Sequence, residues 1–194
     1  MRSRFEIGPL RQLLARPEIR YTTVMSVGGA FCWQATASFL PAFLIGYHGQ
    51  SAATASLLFS AYFVVHGVSQ PLLGTLSDRI GRDPVAVGAF GIGIVGYGAL
   101  VVGTGVAVLA AIPLVGLGMS WGAPVQSRFM DILSSDERAA GFGLVRTVYM
   151  TLGALGSVVV GALSDVAGWS VAFGLLAAVL AFETLLAAAL TIRG

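Results

Sequence analysis

Residues 74–82 read GTLSDRIGR, and residues 161–169 read GALSDVAGW. The second stretch keeps five residues of the first at the same places: Gly74/Gly161, Leu76/Leu163, Ser77/Ser164, Asp78/Asp165 and Gly81/Gly168. Arg79 and Arg82 become Val166 and Trp169. One chain thus carries the same turn twice, once charged and once bare. The surroundings of each copy explain why.

Those surroundings are apolar. Of 194 residues, 56% are hydrophobic and only 10% charged, with a mean hydropathy of +0.86. Soluble domains carry about a quarter charged residues, so this composition cannot cover a water-facing surface. Lysine and asparagine are absent, and all eleven basic residues are arginine. The single cysteine, Cys32, excludes an internal disulfide. Nothing suggests a nucleic-acid surface, a metal centre or a bound cofactor. The partner implied by composition is the lipid bilayer.

About 20 apolar residues cross the hydrocarbon core. The first span runs from about Tyr21 to Tyr47, with Pro41 inside it, and the second from about Ala52 to Thr75. Val85 to Ser127 has no charge at all. As one helix it would reach roughly 65 Å, so it must fold back. Gly103-Thr104-Gly105 is the best break. This makes a third span near Val85–Val102 and a fourth near Val106–Arg128, with a fifth at about Gly141–Gly161 and a sixth at about Val171–Ile192.

With six spans, every arginine falls on one face: Arg2, Arg4, Arg11, Arg16 and Arg20 before span one, Arg79 and Arg82 after span two, Arg128, Arg138 and Arg146 about the connection of spans four and five, and Arg193 at the end. By the positive-inside rule that face, with both termini, is cytoplasmic, which predicts a multi-pass protein of the cell membrane. The lead, residues 1–20, has Leu10, Leu13 and Leu14 on one helical face and is expected to lie along the membrane surface. It lacks the form of a cleaved signal peptide. The expected organisation is all-α: a lead over 1–20, then a six-helix transmembrane domain over 21–194, in two three-helix repeats at about 21–104 and 105–194.

Each copy of the turn closes the second span of its triplet. Three is odd, so the second triplet is inverted. The copy with arginines faces the cytoplasm and the bare copy faces outward. Inverted three-helix repeats are a construction rule of secondary transporters.

Gly74, Leu76, Asp78, Arg79, Gly81 and Arg82, in a short loop after the second span, resemble the signature Gly-x-Leu-x-Asp-Arg-x-Gly-Arg of the major facilitator superfamily. Asp83 stands where that family prefers a basic residue; with Pro84 it reads as a helix start, Asp83 capping. The resemblance covers all six spans, whereas the family has twelve. It implies half a transporter. The arginine-rich lead, like a central linker, and a fourth span without an early arginine indicate the carboxy-terminal half. It also implies that the acidic residue of the loop, Asp78, docks near a helix start in the opposite half. The implied partner is a complementary six-helix half or a second copy of this chain, and the implied cargo is a small-molecule solute.

In that family the first and fourth helices of each half line the cavity and the second and fifth flank it. The candidates for the substrate path are then Gln34, Tyr62, His66, Trp121, Gln126, Arg146 and Tyr149. Tyr62, His66 and Ser69 fall on one helical stripe, with Gln70 adjacent. His66 is either a proton carrier or a neutral hydrogen-bonded ring, and Arg146 either lines the path or snorkels to the cytoplasm. Glu183, well inside span six, is expected outside the path. Gly118 with Gly122, Gly153 with Ser157 and Gly161, and the glycines of span three read as packing surfaces. Two other functions are compatible with six spans. One is a regulatory or defunct fragment that does not transport. The other, remote, is an intramembrane serine protease built on Ser120 and His66, which lacks a histidine on span six.

Overall fold

The computed structural model describes residues 7–191, with side chains from 8 to 188. Arg2, Arg4, Arg193 and the outer ends of the lead and of span six lie outside the described residues. A short helix α1 (Ile7–Ala15) is followed by α2 (Pro17–Gly46), α3 (Ala52–Ile80) and α4 (Arg82–Val102). Then come α5 (Val106–Gly118), a 3₁₀ turn (Met119–Trp121), α6 (Gly122–Ile132), α7 (Arg138–Gly153), α8 (Leu155–Ala167) and α9 (Trp169–Thr191). No strand occurs among the described residues.

Six rods are long and apolar enough to cross a membrane: α2, α3, α4, α5 with α6, α7 with α8, and α9. The uncharged stretch breaks at the expected place. Gly103 ends α4, and Gly105, with φ +55°, starts the return. Such a φ is strained for any residue with a Cβ. Spans one to four lengthen at their arginine-bearing ends, and span five at both ends, because helix continues past the apolar window until a turn residue stops it. The lead divides from span one at Arg16 rather than after Arg20, because Pro17 occupies the first turn of α2, where its missing N–H costs nothing.

The two copies of the turn share their glycine backbone angles and their hydrogen bonds. Gly81 and Gly168 take φ/ψ of 101°/154° and 86°/166°. Their N–H groups donate to Ser77 O (3.1 Å) and Ser164 O (3.2 Å). Ser77 Oγ donates to Gly74 O at 2.8 Å, and Ser164 Oγ to Gly161 O at 2.7 Å. The next helix starts at Arg82 in one copy and Trp169 in the other.

Packing follows the same exchange. Span one packs on span five and span four on span two; span one meets span six and span four meets span three; spans three and six pack on each other. Swapping the triplets maps this pattern onto itself, as two inverted three-helix repeats require. Small residues bring the backbones together. A Cβ on Gly118 would stand 2.5 Å from Gly93 Cα, and one on Gly156 would stand 2.2 Å from Phe31 O. In span three only Gly93 and Gly96 serve this way; Gly91 and Gly98 face open space.

The described arginines of the lead and loops gather at one end of the bundle, and Arg16, Arg82 and Arg128 form ion pairs there. Arg16 donates to Glu137 (2.9 Å) and to Ile132 O (2.6 Å), so the lead grips the end of span four. Leu13 is buried, and Leu10 and Leu14 are packed against the core, so the apolar face of α1 is covered partly by protein. Aromatic rings collect at the opposite end: Phe39, Phe43, Tyr47, Trp169 and Phe173, with His48 among them.

Candidate functional site

Spans one, two, four and five enclose one side of a cavity of about 180 Å³. Span one contributes Ala30 and Trp33, three residues apart and therefore on one face. Span two contributes His66 and Gln70, and span four Met119, Trp121, Gly122 and Gln126. Span five contributes Arg146, Tyr149 and Met150. Spans three and six contribute nothing to this lining.

Local breaks shape the wall. Span four passes through its 3₁₀ turn at Met119–Trp121, beside the cavity. Such a mid-helix interruption often marks a functional hinge. Gly122 leaves room for two amides: a Cβ there would stand 3.3 Å from Gln126 Nε2 and 3.4 Å from Gln70 Nε2. The Trp121 ring lies over Gly29 and stacks on Phe90, with centroids 6.1 Å apart.

Of the residues expected on a substrate path, His66, Trp121, Gln126, Arg146 and Tyr149 line the cavity together. Gln34 and Tyr62 do not. The main-chain carbonyl of Gln34 accepts from Ser157 Oγ at 3.1 Å, in the contact of spans one and five. Tyr62 is fully buried behind His66, its ring parallel to the imidazole at 6.1 Å. The stripe on span two therefore splits: Tyr62 and Ser69 turn into the bundle, and His66 and Gln70 form the wall. Trp33 and Gln70 stood beside candidates in the sequence; three- and four-residue spacing from Ala30 and His66 is the signal that marks them. Arg146 lies deeper than its distance from Gly141 suggests. Because α7 begins at Arg138, it is two turns into the helix, about 12 Å. Its guanidinium stacks over the Phe142 ring at 6.0 Å.

Ser120 and His66 do come together, with Oγ 3.3 Å from Nδ1. The hydroxyl also faces His66 O and Gly116 O, each at 3.1 Å, and Ser120 is fully buried. A nucleophile must present its oxygen to a substrate; this one ties span four to span two. Among the described residues no group of His, Cys, Asp and Glu is placed to hold a metal ion.

The motif loop forms a charge network at the arginine-rich end. Arg82 donates from Nε to Asp131 (2.9 Å), from Nη1 to Ser77 Oγ (2.9 Å), and also to Asp78. One guanidinium thus joins the end of span two to the end of span four. Arg79 is exposed and in no ion pair among the described residues. Asp83 does not cap α4; Gly81 precedes the helix, and Asp83 accepts a hydrogen bond from Arg128, which also reaches Thr22 Oγ1 at 3.1 Å. The residue that departs from the family pattern therefore extends the network rather than weakening it. A carboxylate finds a stronger partner in a guanidinium than in backbone N–H groups.

The sequence profile described as Major Facilitator Superfamily matches residues 22–193. No curated protein matches the chain. Among solved structures, the POT family transporter PepTSo is similar with a TM-score of 0.78 and 19% identity, over 88% of this chain and 36% of that one. An auto-inhibited POT family peptide transporter is similar with a TM-score of 0.76 and 18% identity, again over 88% and 36%. The chain spans roughly a third of the length of these structures. At such identity the likeness is one of fold.

Proposed function

Since the chain belongs to the Major Facilitator Superfamily, we propose that it is the carboxy-terminal six-helix half of a secondary transporter that moves a small solute by alternating access. The observation that carries this is the cavity wall: it is built from spans one, two, four and five and gathers His66, Gln70, Gln126, Arg146 and Tyr149 on one open side. Inverted triplets place such a wall where either membrane face can reach it.

A single wall needs a second. Spans two and five are the least buried, with 17% of their most apolar windows inside the protein against 33–56% for the others. Leu57, Val64, Val68 and Leu72 on span two and Val158 on span five are exposed. These spans flank the cavity, so a complementary half, or a second copy, closes it by packing there. The arginine-bearing end, with residues 1–20 and both termini, faces the cytoplasm of the cell membrane. The lead and two repeats, about 21–104 and 105–194, are the working units.

Asp78 is the latch to the opposite half. Its side chain is 63% exposed although Arg82 holds it, so the carboxylate keeps lone pairs free. Docked near a helix amino terminus it contributes about 0.3–1 kcal/mol to the inward-closed state. Arg82 positions it, and Gly74 and Gly81 shape the turn.

The test is solute uptake by cells that make this chain alone, with a complementary half carrying its own GxLxDR loop, or with an Asp78→Asn variant. Uptake is expected with the partner or from a homodimer, and altered when Asp78 is neutralised. No uptake in any combination would make the chain a non-transporting member of the family. Orientation is checked with Ile80→Cys and Val166→Cys in a Cys32→Ala background. An impermeant thiol reagent added to intact cells should modify position 166 and spare position 80.

A further inference from the structure

Four buried side-chain polar atoms lack a hydrogen-bond partner among the described residues: Trp33 Nε1, Tyr62 Oη, Trp121 Nε1 and Glu183 Oε2. Glu183 lies over Gly28, between spans six and one. The two indoles belong to one place, while Tyr62 is buried behind its wall. Both indoles line the cavity, and Tyr62 stacks on the His66 that lines it. Folded proteins satisfy nearly all buried polar groups, so orphans gathered at one cavity call for a partner from outside the chain.

The partner's chemistry can be read from the donors. An indole N–H only donates, and a guanidinium only donates and stays charged. Arg146 is in no ion pair among the described residues, and the lining holds no carboxylate. The wall therefore offers positive charge and unpaired donors. The amides of Gln70 and Gln126 supply further donors. Its remaining surface is aromatic, from Trp33, Trp121, His66 and Tyr149, and aliphatic, from Ala30, Met119 and Met150.

We propose that this cavity takes a small organic anion: a carboxylate on a planar apolar body, the carboxylate received by Arg146 and indole N–H groups and the body lying against the indole rings. The assignment rests on the transporter reading of the same cavity and adds its substrate class. A fork of guanidinium donors matches a carboxylate bidentately. A cation faces the Arg146 guanidinium with no carboxylate in the described lining to offset it, leaving only ring faces to attract it. A neutral amide can exchange hydrogen bonds with Gln70 and Gln126, whose side chains both donate and accept, but brings no negative charge to Arg146.

The test uses the full chain in phosphatidylcholine nanodiscs and ligand-observed NMR titration with benzoate, benzamide, benzylamine and acetate. Benzoate should bind at least ~10-fold more tightly than each of the others, the scale of one charge-assisted hydrogen bond. Arg146→Gln should erase the preference of benzoate over benzamide. Trp121→Phe, which keeps a ring and removes the N–H, should weaken benzoate severalfold while helix content is unchanged. Equal binding of benzamide or benzylamine, equal binding of acetate, or benzoate binding indifferent to Arg146→Gln would overturn the assignment. If the assembled transporter still takes up a solute of another class, only the substrate class has failed. If benzoate binds as expected but no solute is taken up in any combination, the transport reading has failed and the binding site stands.

Discussion

Gly156→Ala tests the packing of spans one and five. An added Cβ would stand 2.2 Å from Phe31 O and 2.8 Å from Phe31 C, both backbone atoms of α2. Carbon and carbonyl oxygen approach no closer than about 3.3 Å in ordinary C–H···O contacts. The helices must therefore part by about 1 Å, and no side chain can rotate away to avoid it. Overpacking of this kind costs about 1–3 kcal/mol, and a clash against backbone belongs at the upper end. Alanine returns up to about 1 kcal/mol of helix propensity, so the net loss is ~2 kcal/mol. Gly98→Ala is the counterpart: its Cβ meets nothing within 4 Å, so only the propensity gain of up to about 1 kcal/mol remains. The two variants should differ by ~3 kcal/mol, more than a hundredfold in the folded-to-unfolded ratio. Reversible unfolding in mixed detergent micelles, followed by helical circular dichroism, reads this directly. Equal stability of the two variants would refute the close approach of α8 to α2 and the packing scheme built on it.

Arg82→Ala removes bonds to Asp78, Ser77 and Asp131; with both carboxylates more than half exposed, the loss should be ~1 kcal/mol in a melting experiment. High salt should lower wild-type stability toward that of the variant. Glu137 should make the lead helix acid-sensitive. Hydrogen bonds from Ser134 and from Arg16 hold its carboxyl below the usual range. A lowered folded-state value means the Arg16 clasp is fully present above the ordinary glutamate pKa of about 4.3 and is lost as pH falls through the lowered one. Faster amide exchange over residues 7–16 at acid pH, absent in Glu137→Gln, is the expected signature. Glu183→Gln should leave thermal stability unchanged or raise it, because the buried carboxyl has one oxygen without a partner. Glu183→Lys should destabilise strongly, since it puts a longer, charged chain over Gly28 in a membrane helix.

Hydropathy, arginine placement and turn residues were enough to count the spans, locate the break at Gly103–Gly105 and pair the turn at 74–82 with that at 161–169, because each depends on local chemistry: a bilayer's thickness, a charge's distance from water, a glycine's φ. The wall of the cavity was only half visible. His66, Trp121, Gln126, Arg146 and Tyr149 follow from polarity together with the helices that the family resemblance places at the cavity, yet Tyr62 and Gln34 satisfy the same criteria without lining it. A transmembrane helix offers polar residues on every side, and only the packing of its neighbours decides which side is closed. The same holds at the arginine-bearing end. Asp83 beside Pro84 reads locally as a cap, but the arrival of Arg128 from a distant helix made it an ion-pair partner, since charge finds charge through space rather than along the chain.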